Sequence, residues 1–125
     1  PMTMRMRRFC FALACGAALL SAPVRAEVYI EEMTWTDVRD AIGAGKRTVV
    51  IPTGGTEQNG PHIENGKHNI IVHHTAGEIA RQLGNALVAP VLAYVPEGRI
   101  TPPEGHMRFP GTISVSDEAF AAILE

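Results

Sequence analysis

Cysteine is nearly absent. There are two among 125 residues, Cys10 and Cys15, and both fall in the first 26. Once that segment is removed, as argued below, no disulfide and no thiol chemistry remain. Stability must then come from a core or from a bound metal. Positive charge is also scarce after residue 26. Seven Lys and Arg face thirteen Asp and Glu, a formal charge of −6 with His neutral. Such a chain is a poor partner for a phosphate backbone, so nucleic acid is not an expected ligand. No apolar run reaches the ~20 residues of a membrane span. The sequence has no G-x-S-x-G elbow and no H-E-x-x-H. "GAGKRT" (43–48) has some letters of a P-loop but not its spacing, and it precedes a strand instead of following one.

What is present starts with an export pattern. Arg5, Arg7 and Arg8 make a basic start, residues 9–22 are an apolar run, and Val24 and Ala26 sit at the −3 and −1 positions of a cleavage site. This is the layout of a secretory signal peptide over residues 1–26, and it predicts a periplasmic or secreted protein. A buried core helix explains the order of these features less well. Arg7-Arg8 hints at twin-arginine export, while Cys10 stands where that motif prefers Phe, so the route stays open.

The rest alternates between helix and strand. Residues 27–33 read as a short strand or extended arm. Residues 34–45 read as a helix, with Thr34 and Asp37 at capping-box spacing and Gly43 or Gly45 as its stop. "RTVVIP" (47–52) is a β-branched strand closed by Pro. Residues 69–84 read as a helix with Val72, Ala76, Ile79, Ala80 and Leu83 on one face and Gly84 as its stop. "ALVAPVLAY" (86–94) is a second apolar strand, interrupted at Pro90. A long loop (95–111) and "TISV" (112–115) lead to a helix capped by Ser116, with Asp117 and Glu118 in its first turn. No stop signal follows this last helix, so the chain is expected to be a fragment cut inside it. Alternation of this kind predicts an α/β fold with a mainly parallel sheet. Ligands of such sheets sit beyond the carboxyl ends of the strands, where the loops 54–69 and 95–111 would converge.

Those loops carry the chemistry. "GGTEQNGPHIENGKHN" (54–69) places Glu57, His62 and His68 among glycines and a proline that can bend the backbone. Carboxylate oxygen and imidazole nitrogen are the usual ligands of hydrolytic Zn or Mn. The spacing E-x4-H-x5-H names no metal by itself, and on spacing alone a solvated polar loop is the better explanation. His73 and His74 are helix neighbours and cannot both face one ligand, so a surface or helix-flank role is expected for them. His106 lies in the long loop, where a ligand or substrate contact belongs.

The stretch "VVIPTGGTEQNGPHIENGKHN" (49–69) resembles the first signature of the creatininase (creatinine amidohydrolase) family. "HMRFPGTIS" (106–114) resembles its second signature, and "TW" (34–35) matches as well. The resemblance covers about residues 30–125. It implies a three-layer α/β/α metal-dependent amidohydrolase, commonly a homo-oligomer, with a binuclear Zn or Mn site acting on cyclic amides or other C–N bonds of a small molecule. Residues 27–125 would be the N-terminal part of such a domain. By position, Glu57 matches the first-motif Glu ligand, while the family's His ligand falls on Asn59 and its closing Asp on His68. His62 matches the motif's second His. The implied metal set is Glu57, His68 and His62, for one or two ions, with Asn59 and His106 lining the site. The family's remaining ligands lie in a segment like N-G-H-G-x-N, which does not occur before Glu125, so catalytic residues are expected downstream and the chain alone is expected to be inactive. The alternative is a non-catalytic small-molecule-binding relative that has lost the binuclear site.

Overall fold

The computed structural model describes residues 27–125; the signal-peptide reading of residues 1–26 lies outside the described residues. The first helix, α1 (Trp35–Gly43), starts as its sequence dictates. The Thr34 hydroxyl accepts from the Asp37 N–H at 3.3 Å, and the Asp37 carboxylate accepts from the Thr34 N–H at 2.9 Å. Strand β1 covers Thr48–Val50, α2 Lys67–Leu83, β2 Ala86–Val88 and α3 Asp117–Leu124. Ser116 caps α3, its hydroxyl accepting from the Ala119 N–H at 3.1 Å.

β1 and β2 pair in parallel, with Thr48 opposite Ala86 and Val50 opposite Val88. The crossover between them is α2, so this is a βαβ unit, as the alternating pattern requires. On its other side β2 takes the chain near residue 28: the Val88 N–H donates to the Val28 carbonyl at 2.8 Å. Only Tyr29 of the 27–33 segment forms a bridge, and a short 3-10 turn follows at Ile30–Glu32. Pro90 ends β2 early, since it has no N–H to give the ladder. The pairing resumes beyond it, where the Leu92 N–H donates to the Pro52 carbonyl at 2.9 Å and the Gly54 N–H to the Leu92 carbonyl at 3.0 Å.

The core is small. Val28, Tyr29, Ala76, Ala80, Ala86 and Val88 form one buried cluster with Val50 packed against it. β2 is buried along its whole length, which explains its unbroken apolar run. Small residues on α2 allow the close approach. A Cβ added at Gly77 would collide with the Tyr29 phenol. That phenol donates to the His73 carbonyl at 3.1 Å, its ring stacks on the His73 ring with centroids 4.2 Å apart, and the Arg81 guanidinium lies 5.3 Å from it. His73 is therefore spent on packing, and His74 is exposed.

The expected apolar face of α2 divides in two. Ala76 and Ala80 are buried, but Ile79 and Leu83 are 44% and 55% exposed. Ile79 joins Ile71, Val72, Val50 and Pro52 along a groove of about 350 Å³ beside β1. Among the described residues no helix is long and apolar enough to cross a membrane.

Candidate metal centre

Beyond the carboxyl ends of β1 and β2, three stretches interlock. The Ile113 N–H donates to the Thr56 carbonyl at 2.9 Å, and the Gln58 N–H to the Thr112 hydroxyl at 3.2 Å. The Thr56 hydroxyl donates to the Ala93 carbonyl at 3.2 Å. From below, Asn69 holds the loop: its Oδ1 accepts from the Gly55 N–H at 3.0 Å and its amide donates to the Thr56 hydroxyl at 3.3 Å. Asn69 can do this because α2 begins at Lys67, two residues before the expected start. The shift also moves His68 out of the loop and into the first turn of the helix.

Glu57 sits at the centre of this lattice. It is only 4% exposed and is the one buried charged residue among the described residues. Its Oε1 contacts His68 Nδ1. Its Oε2 is buried with no hydrogen-bond partner. A buried carboxylate oxygen left unpaired is costly and calls for a cation or a proton.

The other expected site residues divide. Asn59 turns its amide back onto the Glu57 carbonyl at 2.9 Å, so its polarity goes to shaping the loop. His106, in a 3-10 turn over Gly105–Arg108, has Nδ1 3.5 Å from Gln58 Nε2 and lies at the rim. His62 is exposed in a turn, and no contact joins it to Glu57. The loop thus brings two of the three expected ligands together, Glu57 and His68, and leaves the third outside.

Sequence reasoning missed Glu97. Its N–H donates to the Ser114 hydroxyl at 2.9 Å, which ties it to the second signature stretch. Burial and then the neighbouring Glu57 carboxylate push the Glu97 carboxyl above its ordinary value, partly opposed by His106 and His68. A Cβ added at Gly55 (φ 113°) would strike Glu97 Oε1 and lie 3.0 Å from Glu57 Oε2, so only glycine leaves room for these oxygens. The available signal was positional: Glu97 follows the second strand at the sheet edge where the loops converge.

The donor types present suit a divalent cation. An orphaned buried oxygen of Glu57, an adjacent imidazole and a second nearby carboxyl are the right donor types for Zn or Mn. Among the described residues no three such donors already stand in metal-binding geometry.

Comparison with known proteins agrees. Residues 31–125 match the family described as Creatininase: Creatinine amidohydrolase. A mycofactocin precursor peptide peptidase of Mycolicibacterium smegmatis is 36% identical over 81 residues, 61% of this chain and 30% of that protein. A 3-dehydro-scyllo-inosose hydrolase of Thermotoga maritima is 31% identical over 94 residues, 74% of this chain and 28% of that protein. A solved creatininase described as the Mn form superimposes with a TM-score of 0.65 at 26% identity, over 79% of this chain and 38% of that one. Other solved creatininases are described as Zn-Zn type or as complexed with creatine. The chain spans about a third of the length of the relatives it matches. With an α/β fold, a parallel sheet and both signature stretches at one sheet edge, the chain belongs to the creatininase family of metal-dependent amidohydrolases.

Proposed function

We propose that this chain carries part of the active site of a metal-dependent hydrolase acting on a C–N bond, in a cyclic amide or related small molecule. The observation that carries the reading is Glu57, a buried carboxylate with one oxygen on His68 and the other unpartnered. Glu57 and His68 would hold a Zn or Mn ion. When bound, such an ion polarises a carbonyl and makes water nucleophilic near neutral pH. The chain's own residues prepare for this. Asn69 and Thr112 fix the loop backbone, Asn59 locks the Glu57 peptide, and His106 with Gln58 forms a polar rim where a small substrate can be oriented.

The remaining catalytic groups are proposed to lie in the part of the relatives' length that this chain does not span. The 125 residues alone are expected to bind metal weakly and to lack amidase activity; robust activity would defeat that expectation. A homo-oligomer and export directed by residues 1–26 complete the proposal. Export is tested by N-terminal sequencing of the secreted form, which should begin at Glu27.

One observation favours a second reading, a binding protein without catalysis. The position matching the family's His ligand holds a neutral Asn59, whose amide N–H donates to the Glu57 carbonyl at 2.9 Å, so no imidazole stands there. Metal content of the full-length protein separates the two. Stoichiometric Zn or Mn, lost on Glu57→Ala or His68→Ala, supports the hydrolase. Absence of metal, with melting unaffected by chelators, supports the binding protein.

A further inference from the structure

Strand β1 has a free edge. In its ladder to β2, the Thr48 N–H donates to the Asn85 carbonyl at 3.2 Å, and the Val50 and Pro52 carbonyls accept from the Ala89 and Leu92 N–H groups at 2.9 Å. Successive residues of a strand turn their backbone groups to opposite edges, so those of Val49 and Ile51 point away from β2. Among the described residues no strand or bridge pairs on that side.

Both faces of this edge are apolar and open. Val49 and Ile51 are 54% and 45% exposed on one face. On the other, Val50 and Pro52 meet Ile71, Val72 and Ile79 of α2 in the groove of about 350 Å³, whose lining holds no charged residue. Ile71 and Ile79 stand roughly 12 Å apart along the helix, which matches about four residues of a strand. An edge that stays in water is normally blunted by charge or proline. "TVVI" (48–51) carries neither. The far side of β2, by contrast, is covered by the chain at Val28.

The length of the family supplies the occupant. The chain spans 30% and 28% of two relatives and 38% of a solved creatininase. With apolar side chains above and below the edge, an added strand is buried on both faces, so it must be apolar at consecutive positions instead of alternate ones. We propose that the free edge of β1 takes such a strand from the part of the family's length that this chain does not span, and that its side chains fill the groove between β1 and α2. The proposal rests on the reading that the polypeptide continues into that length, and not on the metal-site reading.

The test is residue-resolved amide hydrogen exchange on the full-length polypeptide, by nuclear magnetic resonance. The Val49 and Ile51 amides are expected to exchange about a hundredfold or more slower than in an unstructured peptide, as the Val50 amide does. Ile79→Lys, which puts a charge into the groove, is expected to speed both by about tenfold or more and to lower the melting temperature. Ile79→Ala should do so by a smaller factor and carries the test if the lysine variant does not fold. Fast exchange at Val49 and Ile51 beside slow exchange at Val50 leaves the edge open and overturns the strand assignment alone. Slow exchange that is lost on dilution, in step with dissociation of an oligomer in sedimentation, makes a second copy the occupant and also overturns it. A reading frame that stops at residue 125 overturns the reading beneath the proposal as well.

Discussion

The two sides of the βαβ unit obey different rules. Between α2 and the Val28–Tyr29 arm, Val28, Ala80, Ala86 and Val88 are nearly inaccessible and the Tyr29 hydroxyl has a partner, with the Arg81 Nε at the edge of the Tyr29 ring buried without one. At the carboxyl ends of the same strands a charged residue is just as deeply buried, and one of its oxygens has none. The first region follows the usual logic of a core. The second departs from it within a few residues, on the same strands. Departure from that logic is expected where a site is kept for chemistry at some cost in stability. The core region should therefore control melting, and the Glu57 region should control ligand binding.

The largest effect should come from the core. Val88→Ala removes two methyl groups from a position with no exposure and is expected to cost about 2 kcal/mol, read by denaturant or thermal unfolding. The loss should be the same with and without added Zn²⁺ or Mn²⁺. A loss that disappears on adding metal would break the separation between the regions. Tyr29→Phe is milder. It deletes the bond to the His73 carbonyl but keeps the ring stack, and about 1 kcal/mol is expected. Metal affinity of this variant should be unchanged, as calorimetry would show.

The same division governs how much could be read from the sequence. The parallel strands, the α1 capping box, the Ser116 cap and the Gly84 stop were legible because each has a local cause in residue type and spacing. The convergence of two loops, 54–69 and 95–111, at one sheet edge was legible, while the direct pairing of Thr56 and Gln58 falls on Ile113 and Thr112, just past the second loop. Three things were not. The start of α2 at Lys67 depends on the turn at 64–66, where the Lys67 N–H donates to the Glu64 carbonyl at 3.2 Å, and no cap residue announces it. The division of the α2 face depends on Tyr29, which claims the side of Gly77 and leaves Ile79 outside. Glu97 meets Glu57 only through tertiary pairing, forty residues away in the chain, so no spacing rule could name it.

The smallest effect lies outside both regions and gives the comparison its baseline. Asp37 sits in the exposed cap of α1, and hydrogen bonds from the Thr34 side chain and then the Thr34 N–H hold its carboxyl below the ordinary value of 3.8. A lowered native pKa means that the folded state favours the ionised form. That contribution is fully present above the unfolded pKa and is lost as pH falls through the native one. Asp37→Asn should flatten the acid-side loss of stability below about pH 4 without changing metal affinity at neutral pH. Unfolding measured between neutral and strongly acid pH, beside a neutral-pH metal titration, checks both halves. If Asp37→Asn altered metal affinity at neutral pH, α1 would be coupled to the site, and the site could no longer be treated as separate from the helices around it.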